Sequence, residues 1–505
     1  MGKKSVDLSC FGIRSEWMRR GLEEKEDGFR NCFCRDRDRI LYSKEFRRLS
    51  GKTQAFVAGF DDHFRTRLTH TLEVVQIATT ISKSLGLNVD LTEAIALGHD
   101  VGHAPFGHKG EKFLNLMMNG CYELKGLNNK LPEHERGFKH NWQGLRVIST
   151  LERHDRAFRF GGINLTNFTR WGILHHTNTT YDECGYLLCS EEENGVKKKI
   201  YSCGYMQKGK PCPWEGRLSV DFYSQYSGQL DDDYDWSYEA FVVERADEIA
   251  QRHHDIEDAI EAGILKKEDL IAKVEKLFKK FLSDEDNALI QKIKNEDEKG
   301  YYMPLFRKFI INLLESRLVE KARTNLEKFK EQEQIKDYCD FMKIRNSLSS
   351  VEKRSKINYD DEFKKIDSEF KYYLYEIILN SYLAQRMDGK SDYLLRQITK
   401  AFVTNPHQLP DDTIITLFKN LNVRLENSNC SKEIKEKLNK YDISEDDLKK
   451  DSSGLLRITL NRLHKSQLKE YHYALLRTIC DYIAGMTDQY AIEQYRMLYG
   501  LNSVW

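Results

Sequence analysis

Apolar residues recur at helical spacing through most of this chain, and proline, which interrupts helices, is scarce. Only 7 of the 505 residues are proline. Proline inside a helix removes a hydrogen bond and clashes with the preceding turn. One face of a helix predicted over 67–85 carries side chains at intervals of four, three and four residues: His70, Val74, Ile77 and Ile81. The pattern predicts an all-α fold.

The same reasoning predicts the neighbouring elements. A helix opens at Asp90, with Glu93 three residues later as a capping box, and runs to His99. The segment 99–111, HDVGHAPFGHKGE, holds three glycines and a proline, which predicts a loop or short turns. A further helix is predicted over 236–262.

The composition changes along the chain and divides it into three predicted regions. The first, 1–263, contains a segment at 183–236 with alternating polarity and turn formers, which predicts a small irregular or β insertion. The second, 264–410, reads as charged helices. The third, 411–505, is also helical, and we expect it to pack back on the first region.

Charge and composition exclude several classes of protein. The chain has 79 Lys and Arg against 79 Asp and Glu, so its bulk charge does not indicate binding to nucleic acid or a membrane. No apolar run has the length of a membrane-spanning helix. Eleven scattered cysteines are typical of reduced thiols, and we expect a cytoplasmic protein. Cys184, Cys189, Cys203 and Cys212 have spacings unusual for zinc, so reduced thiols are favoured there too.

Four residues stand out as metal ligands: His70, His99, Asp100 and Asp247. Each histidine lies on the apolar face of a predicted helix, and Asp247 lies on the apolar face of a third. A buried carboxylate is costly unless it is paired or bound to a metal. A single such histidine is more often a hydrogen-bonded core residue. The whole set instead predicts a site for one divalent ion, for which Mn²⁺ or Mg²⁺ is favoured and Fe or Zn is also compatible.

Seven segments, in order along the chain, carry a family resemblance. They are RDRDRILYSKEFRRLSGKTQAF at 35–56, RTRLTHTLEV at 65–74, LTEAIALGHDVGHAPFGHKGE at 91–111, FKHNWQGLRV at 138–147, GINLT at 162–166, ADEIAQRHHDIEDAI at 246–260 and DYIAGMTDQYA at 481–491. Together they resemble the HD-domain metal phosphohydrolases, and within them the deoxyguanosine triphosphate triphosphohydrolases (dGTPases). The resemblance implies that 1–263 is an HD-domain catalytic core, followed by a helical C-terminal half.

The resemblance also implies a reaction and roles for individual residues. A deoxynucleoside triphosphate (dNTP), with dGTP favoured, is hydrolysed to the deoxynucleoside and tripolyphosphate. The metal would polarise the α-phosphate and lower the pKa of bound water. By resemblance the catalytic residues are His108, Glu111 and His103, and the substrate-binding residues are Gln54, Arg67, His140, Gln251 and Asp255. The family further implies a homo-oligomer, commonly a hexamer, and makes a dNTP a candidate allosteric effector.

Several of these residues have a structural interpretation as well. His103 could cap the loop, Glu111 could cap the following helix, and His140 could be a packing residue. Arg67 could be a solvated helix residue. The charged stretch at 35–49 is expected to be structural or to lie at a subunit interface.

Gln251 departs from the family pattern, which has a tyrosine four residues after the last metal aspartate. That tyrosine packs on the deoxyribose and crowds a 2′-hydroxyl, so its absence predicts weaker discrimination between dNTP and NTP. Two alternative functions stay open. One is another HD phosphohydrolase, a nucleotidase or phosphodiesterase, and the other is a non-catalytic nucleotide sensor.

Overall fold

A computed structural model describes most of the chain in eleven segments. These are residues 6–25, 28–54, 65–122, 124, 131–152, 162–181, 187–193, 196–201, 217–427, 453–465 and 468–500. The four cysteines at 184–212 fall within a stretch whose side chains lie outside the described part, so the prediction of reduced thiols there is untested.

The all-α prediction is confirmed. In chain order the α-helices are α1 (Cys32–Tyr42), α2 (Lys44–Arg48), α3 (Arg67–Leu85), α4 (Val89–Gly98), α5 (Gly107–Met118), α6 (His140–Arg146), α7 (Asn167–His175), α8 (Ser224–Ser227), α9 (Tyr238–Glu261), α10 (Lys267–Phe278), α11 (Asp284–Asn295), α12 (Lys299–Gln332), α13 (Tyr338–Ile344), α14 (Ser350–Lys356), α15 (Asp361–Leu379), α16 (Tyr382–Thr404), α17 (Asp411–Asn427), α18 (Ser453–Lys465), α19 (Lys469–Ala484) and α20 (Asp488–Tyr499).

Within the described residues, the strands form a single hairpin in the predicted insertion. Strand β1 (Leu187–Glu193) pairs antiparallel with β2 (Val196–Tyr201), with Ser190 opposite Lys199. The register shifts between Leu187 and Cys189. The predicted insertion therefore contains a small β element, as the alternating polarity of its sequence predicted.

The chain divides into two compact units. The first contains residues 1–102, 140–179 and 226–389, and the second contains 103–139, 180–225 and 390–505. The three regions inferred from composition stay a prediction.

Helices α3, α4 and α9 pack together in the first unit and share its apolar core. Val74 of α3, Ile95 of α4 and Val243 of α9 are all fully buried there. At Gly172 of α7, an added Cβ would lie 2.5 Å from the side chain of Ile95, so a residue without a side chain lets α7 approach α4 closely. This bundle supplies the helices on which the predicted metal ligands lie.

Local sequence signals place the ends of α3 and α9. Thr66 accepts a hydrogen bond from the backbone N–H of Thr69, and Ser237 accepts one from Ala240. Such side-chain acceptors satisfy N–H groups that a helix start leaves without partners. Gly86 ends α3 in the left-handed conformation, with φ of 72°. The predicted helix over 67–85 is confirmed.

Two boundary predictions were wrong. Helix α4 starts at Val89 and not at Asp90. The capping residue is Asn88, whose side chain accepts a hydrogen bond from the backbone N–H of Leu91. Helix α5 starts at Gly107, within the segment predicted as loop. A Cβ on Gly110 would lie 1.9 Å from the carbonyl oxygen of Pro105, so this glycine permits a close backbone approach inside a helix.

The charged stretch at 35–49 has a structural role at Asp36, which is fully buried. Its carboxylate contacts Arg20 Nη1 at 2.7 Å and accepts a hydrogen bond from the backbone N–H of Thr166 at 2.9 Å. A buried carboxylate needs such partners. The stretch therefore fastens α1 to the segment that precedes α7.

A buried arginine organises the second unit. The guanidinium of Arg477 on α19 lies 3.5 Å from the ring centroid of Phe222 and donates hydrogen bonds to the carbonyl oxygens of Glu135 and Gly137. These contacts join three stretches of chain that are distant in sequence. None of the helices in the described segments is both long and apolar enough to cross a membrane.

Candidate metal centre

Three helices of the first unit position the four predicted metal ligands. His70 lies in the first turns of α3, His99 directly follows α4 and Asp100 comes next, and Asp247 lies in α9. His70, His99 and Asp100 are at most 3% exposed, and Asp247 is half-buried. The end of α4 thus places a histidine and a carboxylate beside the ligands carried by the other two helices.

The ligand atoms of these four residues lie close together. His70 Nε2 is 2.9 Å from Asp247 Oδ1 and 4.0 Å from Asp100 Oδ2. His99 Nε2 is 3.5 Å from Asp100 Oδ1 and 3.9 Å from Asp247 Oδ1. Ligand bonds of about 2.0–2.2 Å from imidazole and carboxylate give separations of this size around one ion. The spacing of the four side chains is therefore that of ligands around a single metal ion.

The histidines also fit a metal by their hydrogen bonding. The Nε2 atoms of His70 and His99 are buried, and among the described residues His70 Nε2 closely approaches only other predicted ligands, while His99 Nε2 has no hydrogen-bond partner. His99 Nδ1 lies 2.7 Å from the carbonyl oxygen of Ala96, which can only accept a hydrogen bond. Nδ1 therefore donates, and Nε2 of the neutral ring keeps its lone pair. A buried lone pair without a donor is the expected state of a metal ligand.

The surroundings of the two predicted carboxylate ligands stabilise negative charge. Burial alone would raise the pKa of Asp247, but the close contact with His70 and the charge of His99 outweigh it and hold that pKa below its usual range. Arg67 is buried, and its Nη1 lies 3.0 Å from both oxygens of Asp100. Arg67 is therefore not a solvated helix residue, since it is paired with a predicted ligand.

Gln251 lies one helical turn after Asp247. Its amide nitrogen donates to both carboxylate oxygens of Asp247, at 3.2 and 3.3 Å. The residue that replaces the family tyrosine thus orients a predicted metal ligand. Its amide oxygen can still accept a hydrogen bond from another group.

Three residues that the sequence analysis missed surround this cluster. His176 lies with its ring centroid 5.2 Å from that of His99 and 5.4 Å from that of His140. Burial, together with the charges of His99 and His140, lowers the pKa of His176 to about 3, so its ring is neutral. His254 contacts His70, and Glu73 in turn contacts His254. The paired histidines at 175–176 and 253–254 were the available sequence signal.

Two predicted sugar contacts, Gln54 and Asp255, are also in the first unit. Gln54 Oε1 is buried and has no hydrogen-bond partner in the described part of the chain. Burial raises the pKa of Asp255 to about 6, although the charges of Arg252 and Lys371 oppose the change. Gln54 therefore has an acceptor available in a buried setting, and Asp255 is a carboxyl group whose ionised form is disfavoured by burial.

His103, His108 and Glu111 belong to the second unit. His103 is buried in the turn before α5, His108 is exposed in the first turn of α5, and Glu111 is buried one turn later. Tyr181, another residue that the sequence analysis missed, donates a 2.7 Å hydrogen bond from its hydroxyl to Glu111 Oε1. Burial and the neighbouring carboxylate raise the pKa of Tyr181 well above its usual value.

Comparison with known proteins agrees with this arrangement. Residues 67–160 match the HD domain family, and residues 448–497 match the phosphohydrolase-associated domain family. Fold and site thus define a metal-dependent phosphohydrolase of the HD class.

Relatives place the chain more narrowly. A deoxyguanosinetriphosphate triphosphohydrolase-like protein of Syntrophus aciditrophicus is 31% identical over 490 residues, which is 94% of this chain and 89% of that protein. One of Neorickettsia sennetsu is 30% identical over 476 residues, 94% of this chain and 93% of that protein. One of Caldanaerobacter subterraneus is 40% identical over 264 residues, 52% of this chain and 56% of that protein. The chain belongs to this dGTPase-like family of HD-domain proteins.

Proposed function

We propose that this protein hydrolyses deoxynucleoside triphosphates, with dGTP favoured, to the deoxynucleoside and tripolyphosphate. The observation that carries the proposal is the set of two buried imidazole nitrogens and two carboxylates with separations of 2.9–4.0 Å. The names of the full-length relatives supply the substrate class. His70, His99, Asp100 and Asp247 would hold one divalent ion, Mn²⁺ or Mg²⁺ by ligand type.

Such an ion supplies Lewis-acid activation of a phosphate ester and of attacking water. Arg67 would bind an oxygen of the α-phosphate. Its Nη1 is engaged by Asp100, while its Nε has no hydrogen-bond partner among the residues that the structure describes, and the guanidinium carries further N–H groups. A fixed guanidinium beside the carboxylates offsets the repulsion between them and an anionic substrate.

The leaving group sets the need for an acid. The 5′-oxygen departs as an alkoxide, which is a poor leaving group, so a donated proton accelerates the reaction. We assign the proton to His108, with Glu111 as the carboxylate that orients it. The hydrogen bond from Tyr181 fixes the position of Glu111. His103 and His140 would contact the phosphates.

The sugar contacts complete the substrate site. Gln54 and Asp255 would bind the 3′-hydroxyl, and the buried, unpartnered Oε1 of Gln54 supports an acceptor role. We also propose, from the family resemblance of the sequence, that the protein is a homo-oligomer and that a dNTP is a candidate effector. Light scattering with and without dNTP would measure both.

A substrate panel tests the proposed function. The four dNTPs, GTP, a nucleoside monophosphate and a cyclic nucleotide would be incubated with the full chain and Mn²⁺ or Mg²⁺, and the products resolved by ion chromatography. We expect tripolyphosphate and deoxynucleoside, with the highest kcat/KM for dGTP. Orthophosphate or a linear nucleotide as product would instead identify a nucleotidase or a phosphodiesterase. Tight nucleotide binding without turnover would identify a sensor.

Gln251 should weaken discrimination against ribonucleotides. Its amide nitrogen is held by Asp247, which leaves Oε1 to accept a hydrogen bond from a 2′-hydroxyl. One such bond contributes about 1 kcal/mol, which is several-fold in kcat/KM. We expect Gln251→Tyr to increase the ratio of kcat/KM for dGTP over GTP by about this factor or more, because an aromatic ring would crowd the hydroxyl.

The control for this comparison is Gln251→Leu, which removes the acceptor without adding a ring. It should reduce kcat/KM for GTP more than for dGTP. Equal ratios in the wild type and Gln251→Tyr would show that position 251 is not the determinant of sugar discrimination.

A further inference from the structure

A chain of buried contacts runs outward from the second ring nitrogen of His70. His70 Nδ1 lies 3.2 Å from Nδ1 of His254, and Nε2 of His254 contacts the carboxylate of Glu73. The side chains of His70 and His254 are each 1% exposed, and that of Glu73 is 36% exposed. This series of contacts thus links a predicted metal ligand, His70, to the carboxylate of Glu73 near the surface.

Helix periodicity builds this arrangement. Glu73 follows His70 by three residues on α3, so both side chains lie on one face of that helix. On α9, Asp247, Gln251 and His254 follow at intervals of four and three residues and share a face as well. The packing of α3 against α9 brings the two faces together.

If His70 Nε2 is a metal ligand, the protons in the His70–His254–Glu73 hydrogen bonds can be placed in only one way. Nε2 must then keep its lone pair, so the proton of the neutral His70 ring is on Nδ1. Nδ1 donates to Nδ1 of His254, which has to be the acceptor. The proton of His254 is therefore on Nε2, where it is donated to Glu73. His70 thus donates, His254 accepts at Nδ1 and donates at Nε2, and ionised Glu73 only accepts.

We propose that His254 and Glu73 are positioning residues for the metal centre. They hold the His70 ring in the tautomer and orientation that present Nε2 to the ion. The inference rests on the proposed metal site and extends it to two residues outside the ligand set. Arg65, whose Nε lies 3.5 Å from Glu73 Oε1, keeps the outer carboxylate in place. Outer partners of this kind typically contribute 10–100-fold to metal affinity.

The cluster of Glu73, His253 and His254 could itself be considered as a second metal site. The proton arrangement argues against this interpretation. With a metal on His70, His254 Nε2 carries a proton and cannot also be a ligand. We therefore expect the protein to bind one divalent ion and not two.

The test is a titration of the full, metal-free protein with Mn²⁺, with free ion measured by electron paramagnetic resonance. We expect His254→Leu to raise the Kd by about 10–100-fold. His254→Asn should recover most of the loss, because its side-chain oxygen lies near the position of Nδ1 and can accept from His70. Glu73→Ala, at a partly exposed position, should raise the Kd less, since the His70–His254 hydrogen bond is kept.

The matched control is His253→Leu. His253 is equally buried and also contacts Glu73, at 2.9 Å, but no hydrogen bond joins it to His70 in the described structure. Its Kd should stay within about twofold of wild type, and melting curves without metal would show that each variant is folded. If His254→Leu does not fold, Glu73→Ala and the asparagine variant decide the question.

Three results would overturn the inference. One is a wild-type Kd in His254→Leu and Glu73→Ala. Another is an equal loss in His253→Leu, which would indicate general packing damage. The third is a stoichiometry of two in the wild type, with one ion lost in the Glu73 variant. A wild-type protein that binds no Mn²⁺ would refute the metal centre as well, and so separates failure of the proposed function from failure of this inference alone.

Discussion

An Asp247→Ala enzyme should lose both its bound metal and its activity. The substitution removes a charged ligand whose Oδ1 lies 2.9 Å from His70 Nε2 and 3.9 Å from His99 Nε2. It also leaves two buried imidazoles facing a void. Metal-ion catalysis contributes several kcal/mol of transition-state stabilisation, so kcat/KM should fall by about 10³-fold or more. Metal content by plasma mass spectrometry and kcat/KM for dGTP are the two measurements.

Glu248→Ala is the matched control for this experiment. Glu248 is the next residue of α9, and its carboxylate contacts Arg245 on the same helix at 2.5 Å. Removing it deletes a charge of the same sign from the same turn while leaving the ligand set intact. Metal content and kcat/KM should stay within about twofold of wild type. Full metal occupancy and turnover in Asp247→Ala would refute the assignment of Asp247 as a ligand.

The second large effect is expected at His108. His108→Ala should lower kcat by about 10²-fold or more while the metal stays bound, because a positioned proton donor contributes 10²–10⁴-fold. His108 lies in the first turn of α5 in the second unit, whereas all four predicted ligands belong to the first. The measurements are kcat at saturating dGTP and metal content in the same preparation.

His134→Ala is a suitable control, because His134 is likewise exposed and belongs to the same unit. Its kcat should be unchanged. Two results would assign His108 a different role. The first is a wild-type kcat in His108→Ala, and the second is a loss of metal together with activity.

The helices themselves were largely predictable, because a helix is set by interactions between residues three and four apart. The face of α3 that carries Val74 and Ile77 is buried as its spacing predicted, and Gly86 ends the helix. The two boundary errors are local as well. Asn88, and not Asp90, supplies the cap of α4. Gly110 reads as a loop residue, yet it lies in α5, where an added Cβ would lie 1.9 Å from the carbonyl oxygen of Pro105.

The site was predictable only in part. His70, His99, Asp100 and Asp247 were selected from the sequence by the cost of burying polar groups on apolar helix faces, and the structure brings them together. Their pairings were not predicted. Arg67, predicted as a substrate contact, pairs with Asp100 across 33 residues. Outside the ligand set, Tyr181 binds Glu111 across 70 residues. No local spacing connects residues so far apart.

The sequence by itself determined the helical class of this protein, the ends of α3, the family, and the side chains able to bind a metal. These follow from short-range periodicity, capping and motif order. Only the tertiary structure decided which polar atoms meet. His254 reaches His70 across 184 residues because α3 packs against α9. Gln251, at the position where the family has a tyrosine, donates a hydrogen bond to Asp247. The proton positions around His70 follow from that packing, since a buried nitrogen must find its partner among the groups that the fold places beside it.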